Sequence, residues 1–137
     1  MPINLTIVTP EGRAFQGEVK SVVLPGVEGD FGVLEGHEPF LTALQVGAVE
    51  IDDGEPRYAA VGSGFAEIDG SNVTVMVSSF EDAGEIDVEG AEQARERAQA
   101  ALEDMRGTEE GEAAYQEYQD AYSLAVARVS VSEKFKK

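Results

Sequence analysis

No cysteine and no tryptophan occur among the 137 residues. The first absence excludes a disulfide frame, a thiol nucleophile and any thiolate metal site. Histidine occurs once, at position 37, so a metal centre would lack a second imidazole and any recognised ligand spacing. Basic residues are scarce: 10 Lys and Arg against 27 Asp and Glu leave a formal charge of −17. That balance repels phosphate backbones and anionic membrane surfaces, which disfavours nucleic-acid binding. No apolar run approaches the roughly 20 residues of a membrane helix. The opening MPINLTIVTPEGR has no basic region leading into a long apolar run, so no signal peptide is expected. The expectation is a cytoplasmic protein that touches a membrane only through partners. A phosphate loop ending in Lys-Ser or Lys-Thr, a Gly-x-Ser-x-Gly elbow and a twelve-residue calcium loop are all missing. An enzyme reading therefore has no residue to rest on.

What is present divides the chain in two. Ile3, Leu5 and Ile7 alternate with Asn4, Thr6 and Val8, a period-2 strand closed by Thr9-Pro10-Glu11-Gly12. Arg13 to Gln16 and Val19 to Leu24 read as further strands, with Gly17 between them. Asp53-Gly54 is a strong hairpin signal, and Asp69-Gly70 marks another turn before Val73, Val75 and Val77 alternate with polar neighbours. Short strands at this spacing predict an antiparallel β-sandwich over residues 1–85. From residue 86 to 137, Ala, Glu, Gln and Arg take over and predict a two-helix antiparallel hairpin, giving an α+β chain. Asp87 is the expected N-cap. Ala91, Ala94, Ala98, Ala101, Leu102 and Met105 form one helical stripe; Gly107 stops that helix and Thr108 can cap the next. Tyr115, Tyr118, Tyr122, Ala125 and Val129 form the second stripe. A hairpin whose first helix offers mostly alanine methyls is marginal alone in water, so it leans on the sandwich or is free to leave it. That is what a conformational switch needs, and equally what an appendage looks like.

The stretch from Val23 to Ile51 carries five glycines, two prolines and His37, yet is too apolar for a linker. Glu28, Asp30, Glu35 and Glu38 punctuate it at turn positions and should face solvent. His37 beside these carboxylates is an exposed turn residue or, less economically, an acid–base group of a hydrolase. The run Glu28-Gly29-Asp30-Phe31-Gly32, the pair Gly36-His37, then Pro39, Phe40-Leu41-Thr42-Ala43-Leu44 and Gly47 closely resembles the signature of the epsilon subunit of bacterial F-type ATP synthase, which is homologous to mitochondrial delta. The resemblance extends over the whole chain.

It implies a non-catalytic central-stalk subunit that links gamma to the c-ring, near the alpha and beta subunits, at the cytoplasmic face of the inner membrane. By resemblance, His37 lies against gamma and Asp30 against the c-ring loops, and the hairpin is a regulatory element. Many relatives bind ATP through an Ile/Leu-Asp-x-x-Arg-Ala motif. Here Ile86, Asp87 and Ala91 match, as do the upstream Glu81 and the later Arg97 and Arg128, but Gly90 and Leu124 stand where arginines are expected. Neither offers the planar fork of charged donors that phosphate needs, so ATP binding is expected to be weak or absent and no cofactor is implied. No basic residue lies between Thr108 and Ala127, which argues against strong inhibition of ATP hydrolysis by an extended hairpin. The isolated chain is expected to be a monomer. The alternative is a free-standing β-domain for a small ligand or peptide, with the hairpin as an oligomerisation element. It would need an aromatic-lined pocket, and Tyr58 is the only Tyr of the first part.

Overall fold

The computed structural model describes residues 3–34, 37–105 and 112–135, with backbone alone at 37, 38, 112, 113, 134 and 135. Gly107, Thr108, Glu35 and the His37 and Glu38 side chains lie outside that description. Among the described residues ten strands run in chain order: β1 Ile3–Thr9, β2 Gly12–Val19, β3 Ser21–Gly26, β4 Gly29–Val33, β5 His37–Leu44, β6 Gly47–Asp52, β7 Pro56–Val61, β8 Gly64–Gly70, β9 Asn72–Val77 and β10 Phe80–Asp82. A 3-10 turn, Ala83–Glu85, leads to helices α1 Val88–Asp104 and α2 Glu112–Phe135.

Pairing follows one path, β10-β7-β6-β3-β5-β8-β9-β1-β2, with β4 on β3. The path folds into two layers at β3, which meets β5 through Gly26 opposite Leu44. The Gln45 amide donates to the Pro25 carbonyl at 2.8 Å beside that point. A Cβ on Gly26 would stand 2.8 Å from the Gly29 carbonyl and 2.9 Å from the Phe31 ring, so the seam demands glycine. All pairs are antiparallel except β1 with β9, which are parallel from Asn4↔Asn72 to Val8↔Met76. β2 is one strand through Gly17, which pairs with Leu5 in extended conformation; the expected break falls instead at Lys20.

The alternation does what a two-layer fold requires. Ile3, Leu5 and Ile7 are fully buried, as are Val22 and Leu24 of β3 and Val75 of β9, and both layers contribute to one core. The Asp53-Gly54 turn joins β6 to β7, with Gly54 at φ 123° and its amide bonded to Asp52 Oδ1 at 2.9 Å.

A second, smaller core lies on the outer face of β6 and β7. There Ala48, Tyr58 and Ala60 meet Ala83, Ile86, Ala91, Leu124, Ala127, Val129 and Val131. Small side chains on both sides let the helix close on the sheet. Each alanine methyl contributes about 0.8 kcal/mol at most, and Ile86, Val129 and Val131 add about 1.5–3 kcal/mol each at most. α2 packs on β7, β6 and the 3-10 turn, whereas α1 packs along α2. Asp87 is the N-cap residue of α1, but its carboxylate makes no capping bond. The second stripe is corrected in part. Ala125 and Val129 are buried and Tyr122 half-buried, but Tyr115 and Tyr118 are 48% and 41% exposed, because the apolar contact with the sandwich begins at Leu124.

Candidate functional site

Three regions carry the residues singled out by the sequence. The first is the β3–β4 tip. Gly29, at φ 132°, turns the chain, and Asp30 sits on β4 opposite Pro25, exposed beside Glu28 and Val27. Behind it the Phe31 and Phe40 rings meet at 5.7 Å, tilted by 55°, and brace β4 against β5. The His37 backbone is the first residue of β5, opposite Gly70, and so belongs to a strand rather than a turn. Asp30 and His37 are thus on different strands with different partners.

The second region is the outer face of the layer opposite the hairpin. Ala43 pairs with Phe65, Phe65 with Met76 and Met76 with Val8, so four apolar residues from four strands form one cross-strand row. Phe65 is 53% exposed, Met76 48% and the neighbouring Leu41 66%. The sequence reading missed this row. The signal was there in Phe65-Ala66-Glu67-Ile68: the acidic residue shares its parity with the phenylalanine, which therefore faces out.

The third region is the junction of hairpin and sandwich. Glu81 lies on β10, opposite Ala60. Arg128 reaches it from α2, donating from Nε to Oε1 at 2.6 Å and from Nη2 to Oε2 at 3.4 Å. Ile86 and Ala91 are buried just beyond, and Leu124 packs against them. The structure thus unites Glu81, Arg128, Ile86 and Ala91. Arg97 is apart, on an exposed face of α1 with Gln93, Glu96 and Ala100. Asp87 is exposed, and its Oδ2 would lie 2.5 Å from a Cβ added at Gly90. Under the hairpin, the Tyr58 hydroxyl donates to Glu50 Oε1 at 3.1 Å. That bond first, then burial and the carboxylate charge, raises the phenol above 10.0.

A shallow groove of about 450 Å³ over β1, β2 and β9 is lined by Asn4, Thr6, Gln16, Glu18, Asn72 and Thr74 and has no aromatic wall. Among the described residues no group of three His, Cys, Asp or Glu could hold a metal ion, and no helix is long and apolar enough to cross a membrane.

Two family models match in tandem. The ATP synthase delta/epsilon chain β-sandwich domain matches residues 2–83, and the long α-helix domain of the same chain matches residues 85–133. The chain belongs to the ATP synthase delta/epsilon family. It is 43% identical over 133 residues to an ATP synthase epsilon chain of Syntrophobacter fumaroxidans, covering 96% of both chains. It is also 43% identical over 115 residues to that of Anaeromyxobacter dehalogenans, covering 83% of this chain and 87% of the other. The fold superposes on a chain of the Euglena gracilis mitochondrial ATP synthase, solved as OSCP, F1 and c-ring, with TM-score 0.78 and 24% identity, covering 99% of this chain and 82% of that one. A chain of the Tetrahymena thermophila central stalk and c-ring gives TM-score 0.57 at 11% identity. The epsilon chain is a non-catalytic subunit of its complex, and relatives that match both parts of this chain leave the free-standing ligand-binding reading disfavoured.

Proposed function

We propose that the chain is the central-stalk subunit joining gamma to the c-ring of a bacterial proton-translocating F-type ATP synthase, peripheral at the cytoplasmic face of the inner membrane. Rotation driven by proton flow would then reach the catalytic head through a rigid sandwich. The observation that carries this reading is the apolar row in which Phe65 and Met76 stand exposed between half-buried Val8 and Ala43, with exposed Leu41 beside it. One outer face of the sandwich is covered by the chain's own hairpin; the other offers contiguous apolar surface, the mark of a protein partner. His37 starts β5, which borders that face and supports gamma as its occupant. Asp30 and Glu28, at the β3–β4 tip, present two exposed carboxylates beside Val27, and that charge suits the polar loops of a c-ring.

ATP is at most a weak ligand. Arg128 is engaged by Glu81, while Gly90 and Leu124 bring no charged donor. Calorimetry of the isolated chain should give no affinity in the micromolar range. Affinity purification of the tagged chain from native membranes tests the main reading. Gamma, alpha, beta and c should be recovered in fixed ratio, and F65D with M76D should strip gamma from the recovered set. Recovery of the chain alone from the soluble fraction overturns the assignment.

A further inference from the structure

The hairpin is held to the sandwich in two ways of different character. One is the apolar cluster of Ala60, Ala83, Ile86, Ala127, Val129 and Val131. The other is the two-pronged contact of Arg128 with Glu81, which spans 47 residues of sequence and joins α2 to the edge strand β10. A planar guanidinium meeting both carboxylate oxygens is a directional, charge-assisted contact. With the Arg128 and Glu81 side chains 22% and 34% exposed, water screens it only in part. The neighbouring carboxylate is already committed: Asp82 accepts from the Gly84 amide at 3.0 Å and pairs with Arg57 at 3.4 Å. Glu81 is therefore the β10 carboxylate turned toward the helix.

We infer that the Arg128–Glu81 ion pair is a latch that sets how firmly the hairpin rests on the sandwich, so that hairpin release in this chain answers to the pair rather than to bound nucleotide. The physical asymmetry is clear. The apolar contact, which includes Ile86, Leu124, Val129 and Val131, is non-directional and indifferent to charge, whereas parting the fork leaves two charges to be rehydrated against their surroundings. The latch takes its regulatory meaning from the proposed rotor role, but its test needs only the isolated chain and is independent of whether gamma is captured.

Because the chain has no cysteine, Q99C on α1 and E67C on β8, both exposed, admit a pair of spin labels for distance measurement. The parent should show one compact distance population. E81Q should shift the docked-to-released ratio toward release about five- to thirty-fold. Raising salt from about 0.01 to about 1 M, which shortens the screening length from about 30 to about 3 Å, should release hairpin in the parent and not in E81Q. The charge swap E81R with R128E should restore docking. An E81Q distribution and salt response identical to the parent's overturn the latch. So does a release that the swap fails to reverse, which would assign the effect to β10 packing instead.

Discussion

Gly64→Ala is the sharpest perturbation the sandwich offers. Gly64 stands where three strands meet, opposite Leu44 of β5 and Val77 of β9. A Cβ there would overlap the Met76 carbonyl oxygen, and it would lie 2.8 Å from the Met76 carbonyl carbon and the Val77 Cα. These are backbone atoms, so no rotamer change relieves the overlap. β8 and β9 must separate locally, against a strand spacing of about 4.8 Å that the ladder holds. The cost combines overpacking, about 1–3 kcal/mol, with one or more ladder bonds weakened in a dry interior, about 1–3 kcal/mol each. A total near 3–5 kcal/mol is a large part of the roughly 5–15 kcal/mol that folds a domain of this size. Thermal melting followed by circular dichroism should fall by about 10–20 °C. Gly32→Ala is the control: nothing lies within 4 Å of its Cβ, and it should melt within a degree or two of the parent. Phe65 is next to Gly64 and pairs with Met76, so the same change should also loosen the apolar row and lower gamma capture. A G64A protein that melts like G32A would refute the argument that backbone overlap governs this position.

Tyr58 has its phenol raised by Glu50, so the folded state favours the protonated form; its stabilisation is present below pH 10.0 and lost as pH rises beyond it. The difference in urea midpoint between the parent and Y58F should therefore be constant through neutral pH and shrink above about pH 10. Leu124→Arg places a charge against the apolar cluster under the hairpin and should cost about 1–3 kcal/mol in chemical denaturation. Gly90→Arg should be tolerated, since the Asp87 side chain that crowds the site is exposed and can turn aside. Truncation after Glu85 in the assembled complex should leave ATP hydrolysis nearly unchanged; a large rise in activity would contradict the reading of an acidic, non-inhibitory second helix.

Local chemistry made much of this architecture readable. Period-2 burial in β1, the Asp53-Gly54 turn and the start of α1 at Asp87 all depend on near neighbours and stand where the residues put them, while the Asp69-Gly70 turn falls one residue later, at Gly70-Ser71. Long-range choices were not readable. The parallel pairing of β1 with β9 joins residues nearly 70 apart, and no local pattern distinguishes it from an antiparallel partner. Gly17 looked like a break because glycine permits one, but here it merely extends between Leu5 and its own strand neighbours. The tyrosine stripe had the right period and the wrong extent, since periodicity does not say where along a helix the covering surface begins. Glu81 and Arg128 entered only through the nucleotide motif, and their pairing across 47 positions was not readable.

The order in which the layers rest on one another has a kinetic consequence. α1 packs along α2, and α2 is the helix that packs on the sheet. Apart from Ala91, which joins the buried cluster at the start of α1, the first helix rests on the second, and the opening of α2 withdraws most of its support. Amide hydrogens of α1 should then exchange at least as fast as those of the Leu124–Val131 turns of α2, while Val75 and Leu5 exchange on the slower clock of the whole sandwich. A molecule built this way should open in two events rather than one, and exchange in α1 slower than in α2 would contradict that order.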